Sequence, residues 1–243
     1  MSLLSVCQDT ARIVGFEPPN SIVGNSDSTA RRLFGLVNIA GKALSKTAGI
    51  SWPVMEREYT FSTVDTQAEY PLPSDFDYVI GDTIWNRDEF DIVRGPMTPQ
   101  QWQQYKSGII GSSVFRQRYR FKRSASGFTN VFVIDPTPSS AQDMVFEYVS
   151  KNWVRDSGST TSYDSYQVDT DVALLDEYLI TLSLVWRFKK EKGLDYAVDL
   201  KEYEDETRKA QSRNGKAPTL YPGRINSSYL ISNRNFPDTG YGS

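Results

Sequence analysis

Residues 170–193, TDVALLDEYLITLSLVWRFKKEKG, constrain the fold more than any other stretch of the chain. Leu175, Leu179, Leu182 and Trp186 recur at steps of four, three and four, with Val172, Tyr178 and Val185 alongside. That spacing predicts a long helix with one apolar face, which has to be buried. Asp169 or Thr170 can cap its start and Asp171 suits the positive end. Lys189, Lys190 and Lys192 suit the negative end, and Gly193 the left-handed cap. About 22 residues at about 1.5 Å each would span on the order of 33 Å. No titratable group on the apolar face suggests chemistry, so this helix reads as a strut.

A strut of that size needs a core around it, and 39% hydrophobic with 13% aromatic residues supplies one in a chain of 243 residues. With 27 basic and 30 acidic residues, a nucleic-acid coat and a membrane-surface protein are both disfavoured. Cys7 stands alone, so no internal disulfide can form; it reads as a small buried apolar residue in a reducing compartment. No run approaches a membrane span, the start lacks the layout of a signal peptide, and synthesis reads as cytoplasmic. Histidine is absent. The commonest zinc sites and every Ser-His-Asp or Cys-His nucleophile fall with it.

Along the chain, Leu3, Cys7, Ala11 and Val14 predict a first helix over 2–15, with Ser2 as cap and Gly15 as stop. After a Pro/Gly/Asn loop, a second helix begins at a cap within Asn25–Ser28 and runs to about Lys46, with Leu33, Leu36, Val37, Ala40 and Leu44 as its stripe. From Trp52 to about Lys151 the period becomes two. MEREYTFSTV, YVIGDTIW, FDIVR, VFRQRYRFKR, NVFVID and DMVFEYVS read as antiparallel strands. One helix is inserted among them at PMTPQQWQQYKSG, where Thr98 can cap and Pro99 can sit first. RDSGSTTSYDSYQVDTD reads as a solvated linker, and a last helix over Asp195–Ser212 as a partner for the first. The fold class is therefore α+β: a helical bundle from the N- and C-terminal helices, with an inserted antiparallel β domain. Its divisions are 1–50, 51–153 with the short helix near 98–107, the linker 154–169, 170–213, and an extended arm over 214–243. The arm lacks any long period yet carries Leu220, Tyr221, Tyr229, Leu230, Ile231, Phe236 and Tyr241, too many large apolar residues for an inert tail. It reads as an arm that docks on another surface, the other reading being that it wraps back over its own domain.

Candidate chemistry is thin. Carboxylates cluster at Asp75 and Asp77, at Asp88, Glu89 and Asp91, and at Asp169, Asp171 and Asp176; a glycosidase would need one pair facing across a sugar, whereas turns and helix ends explain all three. DSGSTTSYD departs from a calcium loop, and no phosphate-cradling glycine motif is present. Catalytic, cofactor and metal residues are accordingly expected to be none. The strand FRQRYRFKR places Arg116, Arg118, Arg120 and Lys122 on one face, with Phe115, Tyr119 and Phe121 on or beside the other. That stripe is either a solvated sheet surface or a contact for an acidic partner, a neighbouring subunit or DNA phosphate.

YPLPSDFD at 70–77, GDTIWNR at 81–87, RGPMTPQQW at 94–102 and WRFKKEKGLDY at 186–196 resemble, in order and spacing, the head-to-tail adaptors of short-tailed bacteriophages, the tail tubular protein A-like connectors. The resemblance implies a structural virion protein of the neck or tail, assembled in the host cytoplasm. It implies a ring, commonly of twelve copies, between the portal and the tail nozzle protein. The C-terminal arm then reaches the portal, the β region faces the nozzle, and genomic DNA passes through the channel at ejection; no membrane is involved. A ring of subunits each at net charge -3 would carry an acidic excess that keeps DNA from adhering. The alternative is a glycan-binding or glycan-cleaving tail component that uses the aromatic β segment.

Overall fold

A computed structural model of the chain describes residues 2–47, 52–107, 117–124 and 129–214. The arm residues Leu220, Tyr221, Tyr229, Leu230, Ile231, Phe236 and Tyr241, and with them Phe115 and Arg116, lie outside the described residues. Within them the class is α+β, with five helices and antiparallel sheets.

Helix α1 (Leu3–Val14) starts at Ser2, whose hydroxyl accepts from the Ser5 amide, and stops at Gly15 in the left-handed conformation at φ 90°. Helix α2 (Ser28–Ser45) is capped by Asp27, which takes the Thr29 and Ala30 amides, and buries Ala30, Leu33, Val37, Ala40, Gly41 and Leu44. The strut differs from its expected form. After the intervening β segment and α3 (Pro99–Ser107), helix α4 covers only Glu177–Glu191 and is capped by Asp176. Asp169 and Asp171 serve elsewhere: the first accepts from the Ile22 and Val23 amides, the second from those of Gln167 and Val168. Residues 172–173 form a short strand instead of helix. Nor is α4 apolar on one face only, because Leu179 through Val185 are all buried. α1, α2 and α5 (Ala197–Asn214) each pack on α4, and its polar members are satisfied within the helix. The Thr181 hydroxyl donates to Glu177 O at 2.9 Å and Ser183 Oγ accepts from Arg187 Nε at 3.1 Å. The end follows the expected cap: Gly193 N donates to Lys190 O and Leu194 N to Lys189 O, with Gly193 at φ 72°. α5 is thus a partner of α4 and not chiefly of α1.

The β segment packs two sheets face to face. One has the order β1 (Glu56–Ser62), β8 (Asp143–Ser150), β4 (Trp85–Asn86), β5 (Asp91–Ile92), with β3 (Phe76–Val79) also on β8. The other is β2 (Glu69–Pro71), β7 (Asn130–Asp135), β6 (Arg118–Arg123). Between them lies an aromatic core in which Phe132 and Phe146 stack at 6.1 Å and Phe61 meets both edge-on. This is how alternate residues of two twisted sheets fill a shared interior. YVIGDTIW is two strands and not one, split by a turn in which Asp82 sits at φ 59°. FDIVR contributes only Asp91–Ile92, and its Phe90 belongs to the preceding turn.

The two parts are joined by the stretch read as a linker. β9 (Val154–Arg155), β10 (Ser162–Tyr163) and β11 (Val172–Ala173) form a small sheet, and Trp153 and Tyr166 are buried in the helical core, ring edge to ring face at 5.1 Å. The indole Nε1 donates to Asp164 O at 2.8 Å. β1 leaves this junction and β8 returns to it, since Glu56 pairs with Val149 and Ser62 with Asp143. Seven residues at about 3.3 Å put the far end of the sandwich roughly 20 Å from the helices.

Candidate interaction surfaces

The basic stripe comes first. β6 and β7 pair Arg118 with Asp135, Arg120 with Val133 and Lys122 with Val131. Directly paired residues share a sheet face, so the three cations lie with Val131 and Val133, on the face that α3 covers with Trp102. Tyr119 and Phe121 turn to the aromatic core, as the period of two requires. The stripe is partly roofed and partly neutralised. The Arg118 guanidinium lies over the Tyr105 ring at 5.8 Å, Lys122 pairs with Glu69 at 2.5 Å, and Lys106 of α3 pairs with Asp135. α3 is held in place by a reciprocal cap: Thr98 Oγ1 accepts from the Gln101 amide and Gln101 Oε1 from the Thr98 amide.

Seven of the eight clustered carboxylates are engaged in the fold, and the eighth, Asp77, is exposed. Asp75 accepts from Tyr148 Oη at 2.9 Å and Ser150 Oγ at 2.7 Å, and burial together with this bond pushes the Tyr148 phenol up to about 12. Asp88 accepts from the Asp143 amide, Glu89 from Gln142 Nε2, and Asp91 from the Ile92 amide. Asp169, Asp171 and Asp176 hold backbone amides of loops and of the α4 start. Among the described residues no group of three or more Cys, Asp and Glu side chains is placed to hold a metal ion, and no helix is long and apolar enough to cross a membrane.

Exposed apolar side chains such as Ile13, Ile39, Val54 and Tyr78 are spread over the surface, and two ends of the molecule add charged and aromatic features to them. At the α4–α5 turn, Trp186 is half-buried against Tyr196 and Tyr203, with Arg187 over its face at 4.5 Å and Lys190 at 5.9 Å. Lys189 turns inward to Asp199 at 2.7 Å, while Lys190 and Lys192 stay outside. Arg32, near the start of α2, pairs with Glu191 at the end of α4, whereas Gly41, about two and a half turns on, meets Trp153. The α4–α5 turn therefore lies at the end of the helical part remote from the sandwich. At the far end of the sandwich stand Val64 and Phe90, 54% and 86% exposed, among Asp65, Asp88, Glu89 and Asp143. The pattern alone does not single out Phe90, which follows four charged or polar residues and reads as the first residue of a strand. The signal for it is the NRDE run ahead of it, a turn composition that a strand start does not need.

The helical part and the sandwich each have a core of their own, and sequence comparison covers both. A family model described as SU10 adaptor protein matches residues 1–221. No curated protein matches the chain. The match runs from α1 through the sandwich to beyond α5, and the chain belongs to the SU10 adaptor protein family, a family of phage head-to-tail adaptors.

Proposed function

We propose that the chain is a non-enzymatic structural protein of the virion neck that forms a closed ring, of about twelve copies by the resemblance, between portal and tail nozzle protein. The arm over 214–243 docks on the portal through Leu220, Tyr221, Tyr229, Leu230, Ile231, Phe236 and Tyr241, and DNA passes through the ring at ejection. The family match over residues 1–221 carries this reading. One observation supports it: seven of the eight clustered carboxylates that sugar chemistry would draw on already accept bonds within the fold.

Electron microscopy of the purified chain mixed with its portal protein tests the ring; closed rings are expected, and persistent monomer after mixing overturns it. A chain ending at Asn214 tests the arm. It is expected to lose portal binding while keeping its thermal transition, and unchanged portal affinity overturns the assignment.

A further inference from the structure

The loop joining β4 to β5 is held from below at several points. Arg87 N donates to Asp143 O at 2.8 Å, and Asn86 Oδ1 accepts from the Asp88 and Glu89 amides at 3.1 Å each. Asp88 takes the Asp143 amide at 2.7 Å and Glu89 takes Gln142 Nε2 at 2.5 Å. Asn86 is itself buried and donates to Gln117 and Gln142. On this anchored loop Phe90 stands 86% exposed at φ 53°. A bulky side chain in the left-handed region is disfavoured where Gly or Asn would fit, and an exposed phenyl ring forgoes burial. Neither choice helps the isolated subunit.

Val64 stands on the other side of the same strand end. Thr63 N donates to Gln142 O and Ser62 Oγ to Asp143 Oδ1, so the loop after β1 flanks the start of β8 as the 87–90 loop does. β1 and β4 lie on either side of β8, roughly 10 Å apart. Two apolar projections thus sit in an acidic surround of Asp65, Asp88, Glu89 and Asp143, while Arg87 is paired to Glu58. An aromatic anchor on a pre-ordered loop loses little freedom on binding, and an acidic rim selects a basic counterpart.

The geometry points to the far end of the sandwich as a docking surface in which Phe90, seconded by Val64, inserts into an apolar pocket rimmed by Lys and Arg on the protein next to the β side of the neck. This deepens the adaptor reading and rests on it for the choice of partner. The test compares the full chain with its Phe90→Gly and Val64→Ser variants for binding to purified nozzle protein and purified portal, at low and at moderate salt. Phe90→Gly is expected to weaken nozzle binding by about 30-fold or more, the loss typical of a central anchor. Its thermal midpoint is expected at or above that of the parent, because Gly accepts φ 53° without strain. Binding of the parent chain weakens as salt rises. Nozzle binding by Phe90→Gly within about twofold of the parent overturns the inference and leaves the adaptor reading standing, since such a change is below the effect of a central anchor. A loss confined to portal binding, or to association between copies of the chain, also overturns it by assigning the surface to another partner. Failure of the parent chain to bind either protein overturns the adaptor reading itself.

Discussion

Gly41 of α2 faces Trp153, and replacing it with Ala sets two effects against each other. A Cβ at position 41 would lie 2.1 Å from Trp153 Cη2, 2.3 Å from Cζ3 and 2.4 Å from Cζ2, more than an ångström inside ordinary contact. The ring cannot retreat: it is fully buried, tied through Nε1 to Asp164 O at 2.8 Å, and set against Tyr166. Overpacking of this kind costs about 1–3 kcal/mol, and a contact this close belongs at the upper end. Ala in a helix interior returns about 1 kcal/mol relative to Gly, so the net loss is about 2 kcal/mol. For a chain of this size that lowers the thermal midpoint by about 4–8 °C.

Gly35 supplies the control in the same helix. It is exposed, and a Cβ there meets nothing within 4 Å. Gly35→Ala keeps only the propensity gain and is expected to raise stability by up to about 1 kcal/mol. Thermal denaturation followed by circular dichroism reads both. A third arm isolates the contact: in a Trp153→Phe background the outer ring atoms that clash are gone, and Gly41→Ala loses most of its cost, giving a coupling of about 2 kcal/mol in the double-mutant cycle. A Gly41→Ala chain as stable as the parent refutes the packing argument, and equal costs in both backgrounds refute the assignment of that cost to Trp153.

Other perturbations follow from the same contacts. Burial pushes the Cys7 thiol from 9.0 up to about 12, so iodoacetamide at pH 8 is expected to modify the unfolded chain and spare the native one. A folded-state proton affinity raised for Cys7, and for Tyr148 from 10.0 to about 12, stabilises the fold fully below the unfolded values; that contribution falls away as pH climbs from about 9 to about 12, which a series of thermal melts checks. Replacing Arg118, Arg120 and Lys122 together by Ser removes the cation over Tyr105 and the pair with Glu69; about 1–2 kcal/mol of stability is expected to go, with nozzle and portal binding unchanged. Lost binding at unchanged stability would identify the stripe as an interface.

The helix ends were legible because their signals are local. Ser2, Gly15, Gly193 and Thr98 each act within a few residues of the groups they satisfy, although the return bond, from the Thr98 amide to Gln101, was not read. α4 was overread at its start for the complementary reason. Val172 and Leu175 continue its apolar spacing, but Asp169 and Asp171 are held by amides elsewhere in the loops and the chain bends before Asp176. Trp153 and Tyr166 lie at the edge of and within a Ser/Gly/Thr-rich stretch, and only their packing partners reveal that the stretch is a weld and not a spacer. β2 escaped notice as three residues ending in Pro71. The basic stripe was correctly placed on one face for its described members. Its roof, α3, was identified as a helix, yet which face it covers is set by Trp102 meeting Val131 and Val133, a contact between distant parts of the chain.

The two ends of the molecule also raise a question of self-association. An acidic projection at one end and Arg187, Lys190 and Lys192 at the other attract each other, and a heterologous contact of that kind propagates into open stacks unless something limits it. The limit lies in the chemistry of the helical end. Trp186 is the half-buried aromatic residue at that end, and its ring is already met by Tyr196, Tyr203 and the Arg187 guanidinium. Charge attraction there is screened by salt over about 8 Å at physiological ionic strength. A contact that rests on screened charge alone lacks the desolvated centre on which stable interfaces depend. The same cluster therefore does two things: it fastens α4 to α5, and it leaves Phe90 to a partner whose basic rim surrounds an open pocket.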